Sequence, residues 1–143
     1  HDNHIAYINA PAEQLPFANM TFDLITVSLA FHWLDRERFL REANRVLKAS
    51  AWLAIYNSIF TAVMKENPAF ELFIRDVYAL RYPQPPRNNQ PLPEETYKGL
   101  GFQVVSSETY SNEVIFTKEA LVNYLMTQSN IITSSSRIWH YPR

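Results

Sequence analysis

The stretch FDLITVSLAFHW, from Phe22 to Trp33, decides how the whole chain reads. From Leu24 to Phe31 it is an almost unbroken apolar run, which predicts a strand from Phe22 to Leu29 buried on both faces of a parallel sheet. A half-exposed strand would alternate. His32 and Trp33 follow at once, a titratable ring and a large aromatic, and Asp35 then opens an amphipathic helix. In open α/β sheets, ligands lie in the crevice beyond the carboxyl ends of the strands, so this cluster marks a candidate site.

Outward from there, Ile5 to Ile8 (IAYI) is short and β-prone and predicts an earlier strand. The following NAPAEQLPF is a loop, since Pro11 and Pro16 cannot donate to a sheet ladder. Asp35 is an N-cap. Phe39, Leu40, Ala43, Val46 and Leu47 share one helical face, and Arg36, Glu37, Arg41, Glu42 and Arg45 cover the other, which predicts a crossover helix from Asp35 to Lys48. Trp52 to Tyr56 (WLAIY) then reads as a second buried strand, parallel to the first and completing a β-α-β unit. Asn67 and Pro68 start a second, aromatic-rich helix through Phe70, Phe73, Ile74, Val77 and Leu80. The proline run from Tyr82 to Pro93 predicts a stiff loop over the surface or over a site. Glu94 to Leu100 is a short helix ended by Gly101. Phe102 to Ser107 and Glu113 to Phe116 read as strands. Thr117 caps a last helix burying Leu121, Val122, Leu125 and Met126, and the tail beyond Ile131, with its Ser134 to Ser136 run and RIWHYPR, is ambiguous.

Length and composition bound the function. The 143 residues fit one domain with a real core, and 13 basic against 14 acidic residues favour neither nucleic acid nor an anionic membrane as partner. No apolar run approaches the ~20 residues of a membrane span. With no cysteine there are no disulfides or thiolate metal sites, and the expectation is a cytoplasmic protein. Four scattered histidines, His1, His4, His32 and His140, make no metal-ligand constellation, so no metal is expected. No nucleophile elbow, P-loop or dinucleotide fingerprint occurs. What remains is a sheet-edge site with His32, Trp33, Asn57 and Ser58 at or beyond strand ends, together with the loop from Ala12 to Phe17.

Four blocks in order, APAEQLPF, FDLITVSLAFHWLD, FLREANRVLK and WLAIYNS, resemble the second half of a class I S-adenosylmethionine-dependent methyltransferase. The similarity is to the small-molecule branch that includes trans-aconitate-methyltransferase-like proteins, and it runs from Ile5 to Ser58. The resemblance implies an α/β fold with a Rossmann-like open, mostly parallel sheet. The family's glycine-rich donor loop and acidic ribose-binding strand would precede His1, so it also implies a sheet incomplete at its N-terminus. One domain is expected: core over 1–58, a helical and proline-rich substrate cap over 59–100, and further strands and a helix over 101–143. The implied activity is methyl transfer from S-adenosylmethionine to a small-molecule acceptor. By the same resemblance Ala12 and Glu13 lie against adenine, Ser28 and Leu29 border the donor, and Phe31, His32 and Trp33 face the methyl-transfer region. Trp33 is assigned to the donor, and His32 is the candidate catalytic residue, taking a proton from an alcohol or amine acceptor where a carboxylate would need no base. Phe31, Asn57 and Tyr78 are assigned to the acceptor. Glu13 is expected to matter through its backbone rather than its side chain. The turn that is usually Pro-Gly-Gly reads Ala49, Ser50, Ala51, a departure that puts its geometry in question. A methyltransferase-like binding domain without activity and a doubly wound oxidoreductase stay open as alternatives, because fold alone does not separate them.

Overall fold

The computed structural model describes residues 4–131. In chain order the elements are β1 (Phe22–Ser28), a 3-10 turn (Phe31–Trp33), α1 (Arg36–Val46), β2 (Leu47–Tyr56), α2 (Ala69–Phe73), a π turn (Ile74–Tyr78), α3 (Ala79–Arg81), α4 (Glu94–Gly99) and α5 (Lys118–Met126). The chain forms two compact units. Within the described residues the first comprises 4–58 and Arg87–Glu108, and the second comprises Ile59–Pro86 and 109–131. The second half of the proline-rich stretch thus folds with the first unit.

The first unit is built on the expected β-α-β pattern. β1 and β2 pair in parallel, with Leu24 opposite Trp52 and Ser28 opposite Tyr56. Asp35 starts α1 because its carboxylate accepts from the Arg38 N–H at 3.2 Å, satisfying one of the free donors of the first turn. The predicted apolar face is buried. Phe39, Leu40, Ala43 and Val46 are almost wholly removed from solvent, as is Leu47 just beyond the helix. At ~1.5–3 kcal/mol for each large side chain, this stripe supplies much of what holds the unit together. Ile25, Val27 and Leu53 meet it from the sheet.

Two details of the crossover differ from expectation. The helix ends at Val46 instead of Lys48 because Leu47 turns extended, at φ −76° and ψ 142°, and pairs opposite Phe22. The ladder then slips before Leu24 and Trp52 align, and Ser50 sits in the slip at φ 61°. A left-handed serine thus stands in the turn Ala49, Ser50, Ala51, at a cost of order 1 kcal/mol.

The strands are not buried on both faces. Alternate side chains of a strand point to opposite sides, and only the Ile25 and Val27 side of β1 meets α1. Leu24 is 54% exposed, Trp52 60% and Tyr56 55%. Among the described residues the sheet has two strands, so there is no second layer to cover that side. For the same reason the expected strands at Ile5 to Ile8, Phe102 to Ser107 and Glu113 to Phe116 are absent: β-prone residues make a strand only against a neighbour that accepts their hydrogen bonds. Phe102 packs back onto the core around Val27 and Leu40 instead. It is steered there by the end of α4, where the Phe102 N–H reaches the Tyr97 carbonyl at 2.9 Å and Gly101 takes φ 85°. A Cβ on Gly101 would lie 2.0 Å from Asn44 Nδ2, so this glycine serves both conformation and space.

The second unit is held by rings. Phe73, Phe70, Phe60, Tyr124 and Phe116 form a continuous chain of contacts with centroids 5.2–6.4 Å apart. The expected helix from Asn67 is present, with the Asn67 side chain accepting from the Ala69 N–H at 3.2 Å, but a π turn over Ile74–Tyr78 interrupts it. Thr117 caps α5 by accepting from the Ala120 N–H at 3.1 Å. Only part of that helix's expected buried face is covered: Leu121 and Leu125 are half-buried, while Val122 and Met126 are exposed. Tyr124 takes their place. The ambiguous tail, including His140, lies outside the described residues, as does His1.

Candidate functional site

Two polar clusters flank the sheet, one beside the amino ends of its strands, where the Thr21 N–H reaches the Val46 carbonyl, and one at their carboxyl ends. The first is a staple formed by Arg45 and Glu42, which were expected on the solvent face of α1. Arg45 donates to the Phe17 carbonyl at 2.8 Å, the Leu15 carbonyl at 3.1 Å and the Asn19 side chain at 2.8 Å, and pairs with Glu42 at 2.7 Å. Glu42 Oε1 also accepts from the Leu15 N–H at 2.6 Å. The loop from Ala12 to Asn19 is therefore fastened to the crossover helix, not draped over it. Arg45 hydrogen bonds to the Glu42 carboxyl, with a further contribution from the Leu15 N–H, lower its pKa from 4.5 to about 2. A depressed carboxylate contributes stability above its unfolded value that is lost as pH falls through the folded one. Melting temperature is therefore expected to drop between pH 4.5 and about 2, and Glu42→Gln should make that drop shallower in parallel thermal scans.

Glu13 works in the same way. Its Oε1 accepts from the Asp35 N–H at 3.0 Å, so two carboxylates, Glu13 and Asp35, cap the start of α1. The Glu13 side chain thus has a structural role at the start of α1. Ala12 packs against the core.

The second cluster is a cleft of about 230 Å³ at the carboxyl end of the two strands. Phe31, His32 and Arg36 line it from the turn and α1, Tyr56 and Asn57 from the end of β2, and residues 88–92 with Tyr97 from the later segment of the same unit. Among the described residues that line it there is no carboxylate. The backbone that carries these groups is bent: Leu29 continues the ladder through its N–H to the Tyr56 carbonyl at 3.0 Å while holding φ 53°, a region that a branched side chain enters only at a cost. That reversal tips Phe31 and His32 out of the strand line and into the cleft.

The His32 imidazole is half-buried and makes no hydrogen bond among the described residues. Its main-chain carbonyl accepts from the Asn88 N–H at 3.2 Å. Burial first, and the Arg87 guanidinium second, hold its pKa below the usual 6.5, so the ring is neutral at neutral pH and has a lone pair available. Trp33 tilts against the His32 ring, with centroids 4.9 Å apart. It is 49% exposed, with the Arg87 guanidinium 5.0 Å over its ring.

Of the residues assigned from the sequence, the structure brings Phe31, His32 and Asn57 to one cleft. Ser28 and Leu29 sit directly before it on β1, and Ala12 and Glu13 belong to the stapled loop. Tyr78 is in the second unit, where its hydroxyl donates to the Leu125 carbonyl at 3.0 Å and burial raises its pKa. Arg36, Tyr97 and residues 88–92 were not singled out in the sequence. Arg36 reads there as one more polar-face arginine, and the others lie on segments whose return to this edge no local pattern announces.

Residues 1–55 match the family model described as a methyltransferase domain. The segment therefore spans β1, the 3-10 turn, α1 and nearly all of β2. Among curated proteins, the chain is similar to the ubiquinone/menaquinone biosynthesis C-methyltransferase UbiE of Klebsiella pneumoniae, 43% identical over 53 residues, which are 36% of this chain and 21% of that protein. The corresponding protein of Shewanella baltica is 39% identical over 54 residues, 37% of this chain and 22% of its own length. That of Cronobacter sakazakii is 33% identical over 92 residues, 55% of this chain and 37% of its own. The chain thus spans between about a fifth and somewhat over a third of the curated relatives it matches. No solved structure matches it. No helix of the described residues is long and apolar enough to cross a membrane.

Proposed function

We propose that this chain, whose residues 1–55 carry a methyltransferase-domain segment of the class I type, serves S-adenosylmethionine-dependent methyl transfer to a small-molecule acceptor in the whole protein. In this reading β1 and β2 are neighbouring strands of a larger, Rossmann-like open sheet. The observation that carries the reading is the position of the cleft: it opens at the carboxyl ends of two parallel strands, within the segment matched to the family, where such sheets hold their ligands.

The cleft suits the reacting end of the donor. Phe31, Tyr56 and Tyr97 offer ring faces, which favour a cationic sulfonium, and no charged carboxylate competes for it. When bound, the donor supplies an electrophilic methyl group. The chain's part is alignment and proton handling. Phe31 and Tyr56 exclude water from one side, and Asn57 provides a carboxamide that orients a polar acceptor. His32, neutral and without a hydrogen-bond partner among the described residues, takes a proton from an acceptor hydroxyl or amine. Ser28 and Leu29, at the end of β1, border the donor through the backbone. Glu13 is committed to the Asp35 N–H, so a contact to the adenine ring at this loop falls to backbone atoms.

The reading is tested by titrating S-adenosylmethionine into the full-length protein in a calorimeter. Saturable one-to-one binding is expected, and a Phe31→Ala variant that remains folded should weaken it. Absence of any heat of binding to folded full-length protein would leave the inactive binding-domain reading in its place.

A further inference from the structure

We infer that Arg36 is a positioning residue, whose guanidinium latches residues 87–92 against the His32 cleft as a strap that forms one of its walls. The inference rests on geometry within the first unit and does not depend on the methyl-transfer reading. Nη1 of Arg36 donates to the Gln90 carbonyl at 2.5 Å and Nη2 to Asn88 Oδ1 at 2.6 Å. The same guanidinium stands 5.8 Å over the Phe31 ring, so one side chain ties the strap to the turn that carries His32. Two further contacts close the strap on that turn: the Asn88 N–H to the His32 carbonyl at 3.2 Å, and the Arg87 guanidinium over Trp33 at 5.0 Å.

The residue types fit a latch. A guanidinium is a rigid, planar fork that meets two acceptors at once, which a lysine ammonium on a flexible stem does not reproduce. The strap is stiffened by Pro91 and flanked by Pro85, Pro86 and Pro93, so it loses little freedom on docking and moves as a piece when released. It makes no regular structure of its own, and Leu92 at its far end packs on the core around Val27 and Leu40, so the Arg36 fork holds the part of the strap nearest the cleft. The titratable and charged groups that line the cleft with His32 are Arg36 on α1, Tyr56 at the end of β2 and Tyr97 on α4, and Arg87 on the strap acts on the ring through its charge. Releasing the strap carries Arg87 away and reopens the ring to water.

The test uses full-length protein and nuclear magnetic resonance, with no acceptor required. Arg36→Gln is expected to speed hydrogen exchange at the Asn88 amide about tenfold or more, change Trp33 fluorescence, and move the His32 titration upward toward its ordinary value. Arg36→Lys should fall between the two. Arg87→Gln should raise the His32 titration while leaving Asn88 protected, which separates the charge from the latch. Should Arg36→Gln prove unfolded by circular dichroism, Asn88→Ala removes one arm of the fork without touching α1 and is expected to give a smaller change of the same kind. Unchanged Asn88 exchange and an unchanged His32 titration in whichever of these variants is folded would overturn the inference.

Discussion

Leu40→Asp is expected to unfold the first unit under conditions where the parent is stable. Leu40 is fully buried between β1 and α1, against Val27, Phe39 and Ala43. A carboxylate there would lie among apolar side chains, Val27, Phe39 and Ala43, away from water. It either stays ionised without water or takes up a proton and leaves an unmatched hydroxyl. Either way the cost is on the order of 4 kcal/mol, a large share of what a domain of this size has to lose. Leu47→Asp, at the first pair of β2, acts by the same mechanism. Its effect should be somewhat smaller, since Leu47 retains slight exposure. Urea unfolding followed by circular dichroism measures both. A Leu40→Asp protein with the parent's midpoint would mean that α1 presents a different face to the sheet.

The second large effect is on turnover. If His32 is the base of the proposed transfer, His32→Ala in the full-length protein should lower kcat by roughly 10²-fold while leaving donor affinity nearly unchanged, because a general base acts in the transition state and contributes little to binding the donor. The pH profile carries an independent signature. Burial and Arg87 keep the imidazole neutral below the ordinary pH of 6.5, so the base-limited rate should hold on the acid side of that value before falling. Arg87→Gln should shift the fall toward higher pH. The same depressed pKa has a stability consequence of defined sign: any contribution of the neutral ring is present above 6.5 and lost as pH falls below it. Single-turnover transfer with and without His32 separates chemistry from folding. Equal rates in the two folded proteins would remove His32 from the mechanism and leave alignment by Phe31, Tyr56 and Asn57 as the chain's contribution.

What could be read from the sequence is what depends on neighbours a few residues apart. The period of Phe39, Leu40, Ala43 and Val46, the Asp35 and Thr117 caps, and the stop at Gly101 are local, and each stands in the structure as expected. The parallel pairing of β1 and β2 followed from the crossover helix between them. The order of four blocks likewise pointed to a methyltransferase segment, and the family model covers that part of the chain. Tertiary structure alone decided which β-prone segments found a partner. Ile5 to Ile8, Phe102 to Ser107 and Glu113 to Phe116 have strand composition, but a strand is a property of two segments, and no neighbour lies beside them among the described residues. It also decided the roles of the polar-face residues. Glu13, Arg36 and Arg45 look interchangeable with any exposed charge along the sequence, yet their partners lie at Asp35, at Asn88 and Gln90, and at Leu15 to Asn19. Side-chain hydrogen bonds across such separations follow from how the chain returns on itself, and periodicity carries no trace of them.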